Sequence, residues 1–435
     1  PIIIRGSVML SIYEKLSQKV DVWRAEGAEM LKNNGNFKVS DVTVSQIYGG
    51  MRGVISLLCD TSEVPNDKGL IIRGTPLKEL TQKSPEEIFY LLLTGDLPNQ
   101  EELEEFSSHI RNNKEVPGYV WDVLRALPAD THPMVMLDTA ILCMQRESVF
   151  AKKYDEGMKK NDYWKYTLED AFNLIGRLPG IAAGIYRMRF NKGDLIAPVA
   201  DMDLTGDYVH MIGMEDAPKG FYELMKLFLV LHSDHEAGNV SALTTVVVNS
   251  ALSDLYYSVS AGLNGLAGPL HGLANQECIK WIVDTVDKFN GTPTKEQISD
   301  YVTETLKSGK VIPGYGHAVL RIVDPRFEAF LEFGKKYCSE NPIFQTVVQT
   351  FEVVPDILKQ IEKIKDPWPN VDAGSGALLY HYGFKELSYY TVLFALSRVL
   401  GLSAQAVVNR AKLKPITRPK SVPYSWLVEK VKSSS

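Results

Sequence analysis

The sequence predicts a mainly α-helical protein. Three observations carry this reading: repeated helix-start signals, apolar residues spaced for one helical face, and a single short stretch that reads as strand. Ser84-Pro85-Glu86-Glu87 is a capping box with proline at the first helical position, and it opens a helix through Ile88 to Leu93 that Gly95 terminates. Asn99 caps the next helix, with Glu102 at its third position and Leu103, Phe106 and Ile110 as its apolar stripe. Helical patterns also run from Phe221 to Leu231 and, much later, from Tyr389 to Leu400, the latter closed by Gly401. Between them Thr294 and Gln297 repeat the capping device ahead of Ile298, Tyr301, Val302 and Leu306, and Gly309 ends that helix. Strand signals are confined to Val54 to Leu58 and Leu70 to Arg73, which flank the turn-rich Pro65-Asn66-Asp67-Lys68-Gly69 and read as one small β-ribbon. No heptad array, internal repeat, low-complexity tract or long Gly/Ser linker marks a domain boundary.

The 435 residues are 45% hydrophobic and 23% charged, an ordinary globular composition, and the length suggests about two or three domains. With 47 basic and 53 acidic residues the net charge is −6, so no generally basic surface and no nucleic-acid partner are expected. A local basic patch can still hold a phosphorylated ligand, because net charge says nothing about distribution. Apolar runs such as Leu227 to Leu231 and Val392 to Leu396 are too short to span a bilayer, and no membrane segment is expected. Cys59, Cys143, Cys278 and Cys338 are widely spaced, without a C-x-x-C pair or zinc-like spacing, which fits a reducing compartment. The chain opens at Pro1 without a methionine, a hint of processing or trimming, and Lys432-Ser-Ser-Ser435 carries no anchor signal.

Glycines cluster in Gly262 to Gly272, Gly314 to Gly316 and Gly374 to Gly376, each beside a side chain able to do chemistry. Four segments stand out: His232-Ser-Asp-His235-Glu-Ala-Gly-Asn239-Val-Ser241, Asn264-Gly-Leu-Ala-Gly-Pro-Leu-His271-Gly, Val311-Ile-Pro-Gly-Tyr-Gly-His317-Ala-Val-Leu-Arg321, and Pro369-Asn-Val-Asp372-Ala-Gly-Ser-Gly376. Taken singly each has a plain reading. Asp372 suits a turn, His271 a hydrogen-bonded core, and Gly-Tyr-Gly-His317 a tight loop. Taken in order they resemble the signatures of the citrate synthase family. The resemblance runs from Tyr48-Gly-Gly-Met-Arg52-Gly to Arg418-Pro-Lys420-Ser and is nearest the eukaryotic mitochondrial branch.

The resemblance implies an acyltransferase of the tricarboxylic acid cycle in the mitochondrial matrix. It would condense acetyl-CoA with oxaloacetate and then hydrolyse the thioester, with acetyl-CoA as co-substrate and no permanently bound cofactor. It also implies an all-α fold of two domains, a large one over 1–272 and 384–435 and a small one over 273–383. Removing a methyl proton beside a thioester carbonyl needs a base while the developing enolate oxygen is stabilised. Asp372 would be that base. His271 would polarise the thioester oxygen, its neutral form favoured if it sits at a helix N-terminus. His317 would protonate the oxaloacetate ketone.

Two carboxylates call for forked donors, which arginine supplies and lysine does not. Arg326, Arg398 and Arg418 match the family's dicarboxylate ligands, with His235 as a further one, although a lone arginine is more often a solvated surface residue. Arg418 would reach the partner's site in a homodimer. For CoA, the resemblance implies a cradle from Val311, Ile312, Gly314, Tyr315 and Gly316, with Arg321, Arg52 and Lys160 on phosphates. Lys160 stands where some members carry arginine, and Gly374 where many mitochondrial members carry histidine, which bears on acyl-CoA selectivity.

His232 and His235 at i, i+3 would share a helix face, but no H-E-x-x-H pattern or third ligand accompanies them, and no metal is expected. Neither a G-x-x-x-x-G-K-[ST] loop nor a Rossmann G-x-G-x-x-G follows a strand. Three other readings remain open: a 2-methylcitrate synthase using propionyl-CoA, a structural or assembly protein retaining the fold, and a CoA-binding regulator without turnover. One methylene is worth only about 1–3 kcal/mol of discrimination, so motifs alone do not separate the first.

Overall fold

A computed structural model describes residues 10–214, 216–317 and 319–433. Pro1 and the tail residues Ser434 and Ser435 lie outside the described residues, as do Glu215 and Ala318. Among the described residues the regular structure comprises nineteen α-helices, four short 3-10 helices and three two-residue strands. The protein is all-α, as the helix signals predict.

Those signals work locally as expected. Ser84 accepts from the Glu87 N–H while Glu87 reaches back to the Ser84 N–H, so two orphan donors at the start of Pro85–Thr94 are satisfied. Gly95 ends that helix at φ 83°, a left-handed conformation that glycine adopts without penalty. Asn99 with Glu102, and Thr294 with Gln297, form capping boxes in the same way at Gln100–Arg111 and Lys295–Lys307.

Two local expectations shift. The ribbon is a three-stranded meander of Ser62–Glu63, Ile71–Ile72 and Thr75–Pro76. Leu70 to Arg73 does contain a strand, but its partner starts at Ser62, and 54–58 is irregular. Ile55 and Leu58 are exposed there, so no buried face fixes that stretch into a sheet. Gly401, expected to close a helix, lies in the middle of Tyr390–Ala411 instead. A Cβ at Gly401 would collide with the Ser233 carbonyl and the Asp234 carboxylate, so this glycine marks a close crossing rather than an end.

Tyr390–Ala411 is the central helix. It packs on Tyr163–Arg189, Pro85–Thr94, Val240–Ser250, Leu255–Leu266 and Phe221–Leu231. The apolar stretch here is longer than the short runs the sequence reading picked out. By length and composition 387–411 would cross a membrane, yet it is almost wholly enclosed by protein and serves as the core helix. Each enclosed leucine or valine on it, such as Leu393 or Val399, contributes about 1.5–3 kcal/mol by leaving water.

A second group of helices, Ala274–Lys288, Lys295–Lys307, Pro325–Tyr337, Pro342–Leu358 and Asp372–His381, pack on one another. Ile298, Val302, Ile312, Val354 and Leu358 form a small apolar cluster of their own within this group. The catalytic candidates lie on loops and helix ends between the two groups.

Candidate active site

His232, Asp234 and His235 leave the end of Phe221–Leu231 in an irregular turn rather than along a helix. The shared helix face that a His232/His235 metal pair would need is therefore not formed. His232 is enclosed, stacks on Phe228 at 4.1 Å and bonds the Phe228 carbonyl through Nδ1 at 3.1 Å. Burial, then the charge of Arg326, lowers its pKa to about 3, so it is a neutral core residue. His235 has a buried Nε2 without a hydrogen-bond partner among the described residues. Burial first and then Arg326, Arg398 and His317 push its pKa well below the usual value. Its ring lies 5.7 Å from that of His317, centroid to centroid.

Two of the enclosed arginines, Arg326 and Arg398, differ in how they are held. Asp324 caps Pro325–Tyr337 and turns back on Arg326, accepting from Nε at 3.0 Å and from Nη2 at 2.7 Å. Burial raises the Asp324 pKa, but the charge of Arg326 and the hydrogen bonds from its side chain and backbone together make the net shift downward. Arg398, on the central helix, donates through Nε to the His232 carbonyl at 2.9 Å and sits over the Phe394 ring at 4.8 Å. It makes no ion pair among the described residues. Burial lowers its pKa to about 10, opposed by Asp234 and deepened by Arg326. It stays charged at neutral pH.

His271 is not at a helix N-terminus. It lies in the turn between Leu255–Leu266 and Ala274–Lys288, three residues ahead of the latter helix. Its pKa does fall, to about 4, but through burial first and the charge of Arg398 second. Nε2 of His271 bonds Ser241 Oγ at 2.9 Å, and that hydroxyl also reaches Asn239 Oδ1 at 2.8 Å. That hydroxyl has a single proton, which it donates to Asn239 Oδ1, so toward His271 it accepts from Nε2–H. Asn239 is fixed in turn, capping Val240–Ser250 through Oδ1 and donating to the His235 and Glu236 carbonyls. Ser241 and Asn239 stood in the quoted motif without a role. Only the fold brings them beneath His271.

The loop before His317 is stitched to the loop before Asp372. Gly316 N–H donates to the Trp368 carbonyl at 2.9 Å, Asn370 N–H to the Gly314 carbonyl at 2.9 Å, and Asn370 Nδ2 to the Gly316 carbonyl at 2.9 Å. Gly314 has φ 82°, and a Cβ there would press to 2.8 Å from both Ala373 Cα and Cys278 Sγ. The backbone N–H groups of Tyr315 and Gly316 are thus used within the protein, on the Ile312 and Trp368 carbonyls. Ile312 and the Tyr315 ring pack inward, while Val311 is exposed. His317 Nδ1 accepts from the N–H groups of Val319 and Leu320 at 3.0 and 2.9 Å, so the ring proton resides on Nε2. Burial, followed by Arg326, lowers its pKa to about 4.

Asp372 is the first residue of Asp372–His381, where its N–H donates to Asn370 Oδ1 at 3.0 Å. Burial raises its pKa to about 6, Arg326 partly offsets this, and Asp324 adds to it. A carboxylate tuned upward in this way is a better proton acceptor and is still ionised at neutral pH. Gly374 does not open toward these groups. A Cβ there would meet the Phe327 ring at 3.3 Å, within the packing against Pro325–Tyr337.

The fold thus gathers His235, His317, Asp372, Arg326 and Arg398: the charge of Arg326 bears on the other four. Arg398 acts in addition on His271. Of the remaining cationic candidates, Arg321 also bears on His317. Arg321 folds Nη1 back onto the carbonyls of His317 and Val319, beside a hollow of about 660 Å³ lined also by Lys68, Lys78 and Trp368. Lys160 lines a different hollow, with Tyr163, Arg410 and Lys414. Arg52 and Arg418 are exposed. Asp324, which fixes Arg326, had a readable signal, since Asp-Pro is a helix-start pair.

The family model described as "Citrate synthase, C-terminal domain" matches residues 50–420. The chain is 42% identical over 442 residues to the mitochondrial citrate synthase 4 of Arabidopsis thaliana, covering 99% of this chain and 93% of that one. It is 43% identical over 404 residues to the mitochondrial 2-methylcitrate synthase of Yarrowia lipolytica, covering 90% and 87%. Among solved structures, the citrate synthase of Pyrobaculum aerophilum superposes with a TM-score of 0.77 at 29% identity, covering 86% of this chain and 92% of that one. With a family model across most of its length and relatives above 40% identity end to end, this chain belongs to the citrate synthase family of acyltransferases.

Proposed function

We propose that the enzyme joins acetyl-CoA to oxaloacetate and hydrolyses the resulting thioester, with His271, His317 and Asp372 doing the chemistry. The observation that carries this is the common reach of the Arg326 charge over His235, His317, Asp372 and Arg398. A dicarboxylate held by Arg326, Arg398 and His235 would place its ketone beside His317. The Asp372 carboxylate takes a proton from the acetyl methyl group. His271, held through Nε2 by Ser241, stabilises the thioester oxygen as the enolate forms. The enolate carbon bonds to the ketone carbon, and the ketone oxygen takes its proton from His317 Nε2. Two backbone N–H groups on Nδ1 of His317 support that donation by stabilising the electron density left on the ring. Water then cleaves the thioester, releasing the CoA thiol and the tricarboxylate.

The small domain of 273–383 closes on the large one of 1–272 and 384–435 once oxaloacetate binds, which excludes water from the enolate. CoA lies along 311–317, with Arg321, Arg52 and Lys160 toward its phosphates. The enzyme works as a homodimer in the mitochondrial matrix, with Arg418 entering the partner's site. Exposed Leu31, Phe37, Ile416, Tyr424 and Trp426, and a helix Tyr424–Lys432 without one buried residue, support a partner surface along both ends of the chain.

The test is free-thiol release from acetyl-CoA with and without oxaloacetate, repeated with propionyl-CoA, alongside light scattering for the dimer. Oxaloacetate-dependent release favouring acetyl-CoA is expected. A propionyl preference would convert the assignment to 2-methylcitrate synthase, a reading that the Yarrowia relative favours. No release would overturn both. Tagged enzyme in peroxisomes instead of the matrix would overturn the location.

A further inference from the structure

Asp234 is completely enclosed, yet it forms no salt bridge among the described residues. Its Oδ2 accepts from Thr61 Oγ1 at 2.6 Å and Ser62 Oγ at 2.7 Å, and its Oδ1 accepts from Gln405 Nε2 at 2.8 Å. These donors come from the edge of the β-ribbon and from the central helix. The same atoms hold the next turn of the chain. Ser62 Oγ accepts from the Glu236 N–H at 2.7 Å, and Gln405 Nε2 also reaches the Glu236 carbonyl at 3.1 Å. Glu236 is thereby kept at φ 51°, a left-handed conformation that a non-glycine residue adopts only when its surroundings enforce it. His235 lies between Asp234 and Glu236, so its place is set by this knot.

The contrast with Arg326 is informative. Arg326 is gripped by Asp324 through two nitrogens, whereas Arg398 spends only Nε on the His232 carbonyl. A free carboxylate beside Arg398 would close on its fork. Three donors prevent Asp234 from doing so, while its negative charge still acts on Arg398.

We propose that Asp234 is a positioning residue for the dicarboxylate: saturated by Thr61, Ser62 and Gln405, it fixes the His235 turn and balances Arg398 at a distance, leaving that guanidinium open to substrate. This deepens the oxaloacetate site proposed above and rests on it. The groups bearing on Arg398 are Asp234, His232 and His235 from the turn, Arg326 from its helix start, His271 from its turn, and Phe394 on its own helix.

The experiment compares Asp234→Asn, Ser62→Ala and Arg398→Gln with the wild type in steady-state kinetics, with thermal melts to verify folding. Asp234→Asn should raise KM for oxaloacetate at least about tenfold while kcat and KM for acetyl-CoA stay within about threefold. Ser62→Ala, which keeps the charge and loses one donor, should show the same split more weakly, and it decides the matter if Asp234→Asn fails to fold. Because Asp234 supports the charged form of Arg398, the alkaline rise of oxaloacetate KM should move to lower pH in Asp234→Asn but not in Ser62→Ala. A purely structural role would leave that limb in place. An unchanged oxaloacetate KM in Arg398→Gln would overturn the dicarboxylate site and this inference with it. A raised KM in Arg398→Gln, with oxaloacetate KM unchanged in both other variants or with all parameters falling together, would overturn the role of Asp234 alone.

Discussion

One side of the candidate site carries Arg398 within the central helix and His235 and His271 on turns anchored by side-chain hydrogen bonds that involve Asp234, Asn239, Ser241 and Gln405. The other side carries His317 and Asp372 at the ends of two loops, Asp372 opening a helix, and these loops are sewn together mainly by backbone bonds near the small apolar cluster of Ile298, Val302 and Ile312. Both are continuous with the large core, which takes in Val371 and Ala373 beside Asp372, but the second also depends on a few turns and a glycine held at φ 82°. The difference separates two jobs. Groups that grip a charged substrate gain from a rigid, pre-paired wall, since each unmet hydrogen bond there costs about 1–3 kcal/mol. Groups that move a proton gain from a mount that can approach and withdraw.

Breaking the chemistry on the looped side should cost most. Asp372→Asn keeps the shape and the Asn370 contact but removes the base, and turnover should fall on the order of 10³-fold with little change in oxaloacetate binding. Equal loss of binding and turnover would mean that the residue holds the loop instead. The same carboxylate predicts the acid limb. With its pKa raised to about 6, Asp372 must lose its proton to act, so kcat/KM should fall about tenfold per unit below that pH. His271 and His317, both near 4, should leave no inflection between 6 and 8. A limb near 4 would assign the base elsewhere.

Gly314→Ala probes the stitching. A Cβ there presses on Ala373 and Cys278 and must accept a positive φ, a strain of about 1–3 kcal/mol. Turnover and acetyl-CoA KM should worsen about tenfold, while oxaloacetate binding, anchored on the other side, holds. Matching losses for both substrates would erase the distinction between the sides. The smallest effect is expected at Lys78, which pairs with Glu328 at 2.8 Å across the ribbon and Pro325–Tyr337. Both side chains are substantially exposed, so Lys78→Ala should change stability by less than about 1 kcal/mol and activity by less than about twofold. A larger change would make this pair a clasp between the two sides.

Much of the secondary structure was legible because its causes are local. Ser84, Asn99 and Thr294 start helices by bonding to residues three places on, an event within reach of a few side chains. Gly401 was misread for the same reason. Without knowing that Ser233 crosses beneath it, a glycine after an apolar run looks like a terminator. The ribbon shows the limit on strands, where Ser62 pairs with Ile72 across a loop and the apolar pattern at 54–58 finds no partner. In the site, the sequence motifs held His271, His317 and Asp372, but not what tunes them. His271 is neutral through burial and Arg398, over a hundred residues away, and not through a helix dipole.

By itself, then, the sequence determined the helical class, the helix starts and the family, and it offered the candidate reactive side chains, all of which are written in residue types and short spacings. Only the tertiary structure decided which backbone N–H groups were already spent, which arginine was clamped and which left open, and how far each pKa moved. Those properties depend on desolvation and on charges brought together from distant parts of the chain, and neither exists until the chain has packed.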